Sequence, residues 1–111
     1  MTWLQAFVVT QAVEVPVYGR LLRPTPLLGR VAMALAVSAA THPWVWFVLP
    51  PYLQPSLGYW GYVTVAEGFA VAAEAALLFG FGVPVSRAFL AAFVANTVSV
   101  GAGFAATRAF G

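Results

Sequence analysis

The chain has 111 residues, of which 62% are hydrophobic and only 7% are charged, and its mean hydropathy is +0.90. A soluble domain carries about 25% charged residues, and a short chain keeps much of its surface exposed, so this composition excludes an ordinary soluble domain. The net charge is +2, but the arginines are not clustered as nucleic-acid binding requires. The sequence therefore predicts an integral membrane protein that does not bind nucleic acid.

Four apolar stretches are each long enough for a transmembrane helix, which needs roughly 20 residues. They cover residues 3–22, 27–49, 57–80 and 85–107. Proline and glycine, which end helices, lie between them at Pro24 and Pro26, at Pro50, Pro51 and Pro55, and at Gly82 and Pro84. Because the linking segments are short, consecutive helices should run antiparallel. The predicted fold is all-α, a single domain over residues 1–111 with four transmembrane helices in an up-and-down antiparallel bundle.

Two prolines fall inside predicted helices. Pro16 follows Glu14 by two residues and is expected to kink the first helix. Pro43 directly follows His42 and marks either a kink or the end of a shorter second helix, because proline removes a backbone donor from the helical ladder.

The distribution of arginine predicts an orientation. Arg20, Arg23 and Arg30 flank the first linking segment and Arg87 follows the third, whereas only Arg108 lies at the other end. The positive-inside rule then places the first and third linking segments in the cytoplasm and both termini outside, in a bacterial-type inner membrane. An aromatic belt is expected near the outer interface, formed by Trp3, Trp44, Trp46, Trp60, Tyr52, Tyr59 and Tyr62.

All three glutamates and the single histidine lie inside predicted transmembrane helices. A charged side chain there costs about 2.5–3.5 kcal/mol on insertion scales, so these groups should face the interior of the bundle. Helical spacing gathers further polar residues on the same faces. The candidate residues for binding a proton, cation or substrate are Glu14, Glu67, Glu74, His42 and Asn96, and the supporting residues are Gln11, Tyr18, Thr41, Thr64 and Ser99.

The helical rise predicts the depth of each group in the membrane. Glu14 and Glu67 come out near the midplane, His42 closer to the outer face and Glu74 closer to the inner face. Two carboxylates at one depth require a shared proton or a bound cation. A structural alternative for Glu74 is an ion pair with an arginine at the cytoplasmic end.

These residues predict proton- or cation-coupled transport by a small polytopic membrane protein. No nucleotide-binding loop or HExxH motif occurs, and Asp, Lys and Cys are absent, so no catalytic residue or cofactor is assigned and an enzyme is not expected. One alternative is a non-catalytic accessory or scaffold subunit of a larger membrane complex. Another is an intramembrane metal-binding protein, although the Glu-x-x-His pair of di-iron bundles is missing. Besides the lipid bilayer, a homo-oligomer or a larger membrane partner is expected.

Overall fold

A computed structural model describes residues 2–23 and 25–110, the last of these by its backbone alone. Pro24, one of the predicted helix breakers, lies outside the described residues. Within them all regular structure is helical and no strand occurs, which confirms the all-α class. The elements are α1 (Trp3–Leu21), α2 (Leu27–Pro43), a π-helical turn (Trp44–Val48), α3 (Leu49–Gly80) and α4 (Val85–Phe110).

The second predicted linking segment is helical, so four separate transmembrane helices are not what the structure shows. Because α2, the π-helical turn and α3 follow one another without interruption, the described residues form three continuous helices. Pro50 and Pro51 lie in the first turn of α3, directly after the π-helical turn, and the helical path continues through them. Two of the three helices, Leu27–Gly80 and Val85–Ala109, are long and apolar enough to cross a membrane.

Pro43 ends α2 and changes the hydrogen-bonding pattern that follows. Its ring removes the backbone donor that the preceding turn requires. The N–H of Trp44 donates to the carbonyl of Thr41, and the N–H of Leu49 donates to Trp44, five residues back. The chain therefore continues beyond Pro43 as a wider, π-helical turn. Pro16, by contrast, lies within α1, which continues to Leu21.

The long helix Leu27–Gly80 folds back on itself at Gly58. A straight helix of its 54 residues would be about 81 Å long, whereas the longest dimension of the molecule is 41 Å. Gly58 has φ 72° and ψ 179°, a conformation that only glycine adopts readily. Beyond it α3 runs antiparallel to α2: Tyr62 donates a hydrogen bond to the Val45 carbonyl near one end, and Thr41 donates to Glu74 farther along.

One end of the molecule has a closely packed interior, here called the sealed end. Alanines occupy one face of α4 and are fully buried, and such small residues let helices approach one another closely. The residues of the sealed end are Tyr18, Leu22, Ala34, Val37, Ala75, Leu78, Val83, Ala88, Ala91, Ala92 and Ala95. Two arginines close this end with hydrogen bonds to backbone carbonyls, Arg30 to Gly19 and Arg87 to Arg23.

Candidate functional site

The opposite end, here called the open end, contains a cavity of about 390 Å³. On α3 its wall runs from Tyr59 at the mouth to Glu74 at the floor, a distance of about 22 Å along the helix at its normal rise. Every helix contributes to the lining, which includes Thr10, Glu14, Ser38, Thr41, His42, Val45, Trp46, Tyr59, Tyr62, Val63, Ala66, Glu67, Ala70, Glu74, Asn96, Ser99, Val100, Gly103, Phe104 and Thr107. The cavity ends where the sealed end begins.

The Glu74 carboxyl group lies at the floor of the cavity and is 2% exposed. The hydroxyl of Tyr18 donates to its Oε1 atom at 2.6 Å, and the hydroxyl of Thr41 donates to its Oε2 atom at 2.9 Å. Asn96 lies beside the same carboxyl group and also donates to the Ala92 carbonyl at 2.8 Å. Because both oxygens accept hydrogen bonds from residues on other helices, Glu74 ties α1, α2 and α3 together at this depth.

The carboxyl group of Glu14 is equally buried, at 2% exposure, and faces the same cavity. Its Oε1 atom accepts a hydrogen bond from the Ser38 hydroxyl at 2.8 Å, and Ser99 lies beside it. Ser38 and Thr41, which donate to Glu14 and Glu74, lie about one turn apart on α2, so the two carboxyl groups are held at neighbouring depths.

Glu67 is the carboxyl group nearest the mouth. It lies seven residues before Glu74 on the same face of α3, about 10 Å closer to the opening, and its side chain is half-buried. Among the described residues no side chain donates a hydrogen bond to it, unlike Glu14 and Glu74. A ligand that enters the cavity therefore meets Glu67 before the other two carboxyl groups.

Aromatic rings surround His42 on the wall of the cavity. The centroid of its ring lies 5.2 Å from that of Phe7, 5.9 Å from Trp3 and 6.3 Å from Trp46. Its Nδ1 atom is buried and makes no hydrogen bond within the described part of the chain. His42 is therefore held by ring packing, and its imidazole is not fixed by a polar partner.

Most of the predicted site residues meet at this cavity. Those that line it are Glu14, Glu67, Glu74, His42, Asn96, Thr41 and Ser99. Tyr18 lies directly beneath, bonded to Glu74. Gln11 does not line the cavity, and its buried amide has no hydrogen-bond partner among the described residues. Thr64 is exposed, donates to the Trp60 carbonyl and does not line the cavity.

The predicted site does not include Ser38. It also lacks the aromatic side chains of the cavity lining, here called the aromatic wall (Trp46, Tyr59, Tyr62 and Phe104). Ser38 lies three residues before Thr41 on the same face of α2, and this spacing was a usable signal. Three residues of this wall are instead predicted to lie at a membrane interface, namely Trp46, Tyr59 and Tyr62. No role is predicted for Phe104 from the sequence. The inward position of the wall residues depends on the turn at Gly58 and on the π-helical turn, which sequence periodicity does not reveal.

The charges around the cavity are unbalanced. All three glutamates line it, whereas none of the five arginines does. Within residues 2–23 and 25–110, no three His or Glu side chains are arranged to hold a metal ion. The site therefore offers negative charge in an enclosed space but lacks the compact ligand set of a metal centre.

No protein family model, no curated protein and no solved structure matches the chain.

Proposed function

We propose that the chain is a membrane protein whose cavity binds a proton or a cation at Glu14, Glu67 and Glu74 and exchanges one for the other during transport. The observation that carries this proposal is a single cavity, open at one end, that is lined by all three carboxyl groups and by no arginine.

The proposed membrane topology has four crossings, in which the two halves of the helix Leu27–Gly80 each span the bilayer on either side of the turn at Gly58. Large apolar side chains such as Leu28, Phe89 and Phe93 point outward along the molecule, as expected for a surface in contact with lipid. Four of the five arginines lie within four residues, along the chain, of a member of the sealed end: Arg20, Arg23, Arg30 and Arg87. By the positive-inside rule the sealed end is cytoplasmic, and the cavity and both termini face outside.

The chemistry of exchange follows from the lack of a counter-ion. Three carboxylates in a confined, poorly solvated site repel one another and are unfavourable unless a proton or a cation neutralises them. Because both neutralise the same groups, binding of a cation displaces a proton and the reverse. This competition supplies the coupling step of an exchanger. The wall around the cavity is one helix thick, and a homo-oligomer or a larger membrane partner is proposed to support it.

The cavity also distinguishes this proposal from an accessory or scaffold subunit. Such a subunit requires buried polar contacts between helices, like those of Ser38 and Thr41, but it requires no cavity that leads to them. A cavity whose wall and floor carry three carboxyl groups therefore favours transport.

Proton release tests the exchange step directly. Purified protein in weakly buffered detergent solution, with a pH indicator, receives Na⁺, K⁺, tetramethylammonium or benzyltriethylammonium as chloride salts. We expect at least one of these cations to release protons from the protein, and the Glu67→Gln variant to release fewer. In proteoliposomes loaded with acid and an internal pH indicator, the same cation added outside should accelerate alkalinisation of the interior.

Thr64→Val is the matched control, because Thr64 lies one turn from Glu67 but outside the cavity. It should leave proton release unchanged. The proposal is contradicted if none of the cations releases protons, or if Glu67→Gln and Thr64→Val behave alike.

A further inference from the structure

The geometry points to an organic cation with an apolar body as the ligand of this cavity, its charged group near the carboxyl groups and its body against the aromatic wall. This inference rests on the proposed function and specifies the class of cation that the site accepts.

The lining changes character with depth. The carboxyl groups of Glu67, Glu14 and Glu74 lie in its deeper part, whereas aromatic rings line the part near the mouth, at Trp46, Tyr59, Tyr62 and Phe104. Aromatic faces attract organic cations through their quadrupoles and provide contact area for apolar groups. A molecule that is charged at one end and apolar at the other matches both parts at once.

The volume of the cavity is much larger than a proton or a bare metal ion needs. At about 390 Å³ it falls within the range of about 300–1,000 Å³ that is typical of sites for small organic molecules. The described residues also lack a compact set of three metal ligands. The space between Glu67 and the mouth therefore suits the body of an organic molecule.

The charge of the lining selects the sign of the ligand. An anion would meet three carboxyl groups with no arginine beside them, and a neutral molecule would leave them without a counter-ion. Glu67 is the first carboxyl group below the aromatic wall and has no hydrogen-bond donor among the described residues. It is therefore the group that the cationic end reaches first.

Isothermal titration with benzyltriethylammonium tests this assignment on the protein in lipid nanodiscs. We expect it to bind at least about tenfold more tightly than tetramethylammonium, because the benzyl and ethyl groups bury apolar surface against the wall. Benzenesulfonate, an anion with a similar ring, should not bind. Binding of the cation should weaken as the pH falls, since protons compete for the same carboxyl groups.

Two tryptophans provide a matched pair of variants. Both side chains are exposed, Trp46 at 37% and Trp44 at 50%, but only Trp46 lines the cavity, and Trp44 packs near Phe69 outside it. Trp46→Leu should weaken binding of benzyltriethylammonium by about 2- to 10-fold, the usual strength of a contact between aromatic rings. Trp44→Leu should leave the affinity unchanged, and circular dichroism of both variants checks that they are folded.

The possible failures are distinguishable. If tetramethylammonium or Na⁺ binds as tightly as benzyltriethylammonium and Trp46→Leu has no effect, the inference about the organic body is overturned, while proton release keeps the exchange proposal intact. If benzyltriethylammonium binds but neither releases protons nor responds to Glu67→Gln, the exchange proposal fails. The inference about the organic cation then fails as well, because the charged group of the ligand would not lie at the carboxyl groups.

Discussion

The same helix faces pack closely together at one end of this molecule and line a cavity at the other. On α4 the interior face begins with Ala88 and Ala92 in the sealed end and continues through Ser99 and Gly103 into the cavity. At the sealed end small side chains close the space between helices. Toward the mouth, aromatic residues of the π-helical turn, α3 and α4 line an open space. The boundary between the two regions lies at Glu74, whose hydrogen bonds to Tyr18 and Thr41 mark where packing ends and the cavity begins.

Enlarging a side chain should produce the largest difference in stability between the two ends. Ala92 is fully buried, so Ala92→Leu should lower the free energy of unfolding by about 3 kcal/mol through overpacking. A Cβ atom at Gly103 would meet no atom within 4 Å, and leucine is a better helix former than glycine, so Gly103→Leu should not lower the free energy of unfolding. Thermal unfolding in detergent measures both. Equal losses would mean that the two ends are packed alike.

Removing one tyrosine hydroxyl from each end should produce the next largest difference in the free energy of unfolding. Tyr18→Phe leaves a buried oxygen of Glu74 without its donor, and we expect a loss of about 2 kcal/mol in the free energy of unfolding. Tyr62→Phe removes a donor to the Val45 carbonyl beside the cavity, where water can replace it at a cost of about 0.5 kcal/mol.

A double variant separates the Tyr18 hydrogen bond from general packing. If the loss arises from the unpaired carboxyl oxygen, Tyr18→Phe combined with Glu74→Gln should cost less than the sum of the two single changes. Additive losses, or equal losses for the two tyrosine variants, would argue against a special role for this contact.

A matched pair of valines gives the smallest expected effect. Val37 is fully buried in the sealed end, whereas Val63 is partly exposed and lines the cavity. Val37→Ala should cost about 1.5 kcal/mol, from two lost methyl groups at about 0.8 kcal/mol each. Val63→Ala should cost less than about 0.5 kcal/mol, because the Val63 side chain faces the cavity on one side and loses few packing contacts when it is shortened. If Val63→Ala lowered the free energy of unfolding more than Val37→Ala in chemical denaturation, the assignment of a closely packed end and an open end would be contradicted.

Composition and helical spacing were sufficient to predict the all-α class and the gathering of the carboxyl groups. Glu67 and Glu74 share a face because seven residues make nearly two turns, and the cost of a charge in lipid predicts that this face is interior. The Glu74 ion pair with an arginine, considered as an alternative, does not form: Arg30 and Arg87 instead donate to backbone carbonyls.

The features that sequence patterns missed depend on where the backbone departs from a regular helix. Pro50 and Pro51 predict a break, but the helical path continues through them and the chain reverses at Gly58. The wall residue Trp46 lies in the π-helical turn, whose wider winding a spacing of 3.6 residues does not predict.

Thiol accessibility tests the central claim, that the carboxyl groups line a cavity open at one end only. The chain has no cysteine, so single substitutions report one position each. Val63→Cys and Ser99→Cys lie in the cavity, and Ala75→Cys and Ala91→Cys lie in the sealed end. We expect a cationic, membrane-impermeant thiol reagent to modify the first pair in lipid nanodiscs and to leave the second pair unmodified until the protein is denatured. Equal modification of both pairs, or protection of the cavity positions, would contradict it.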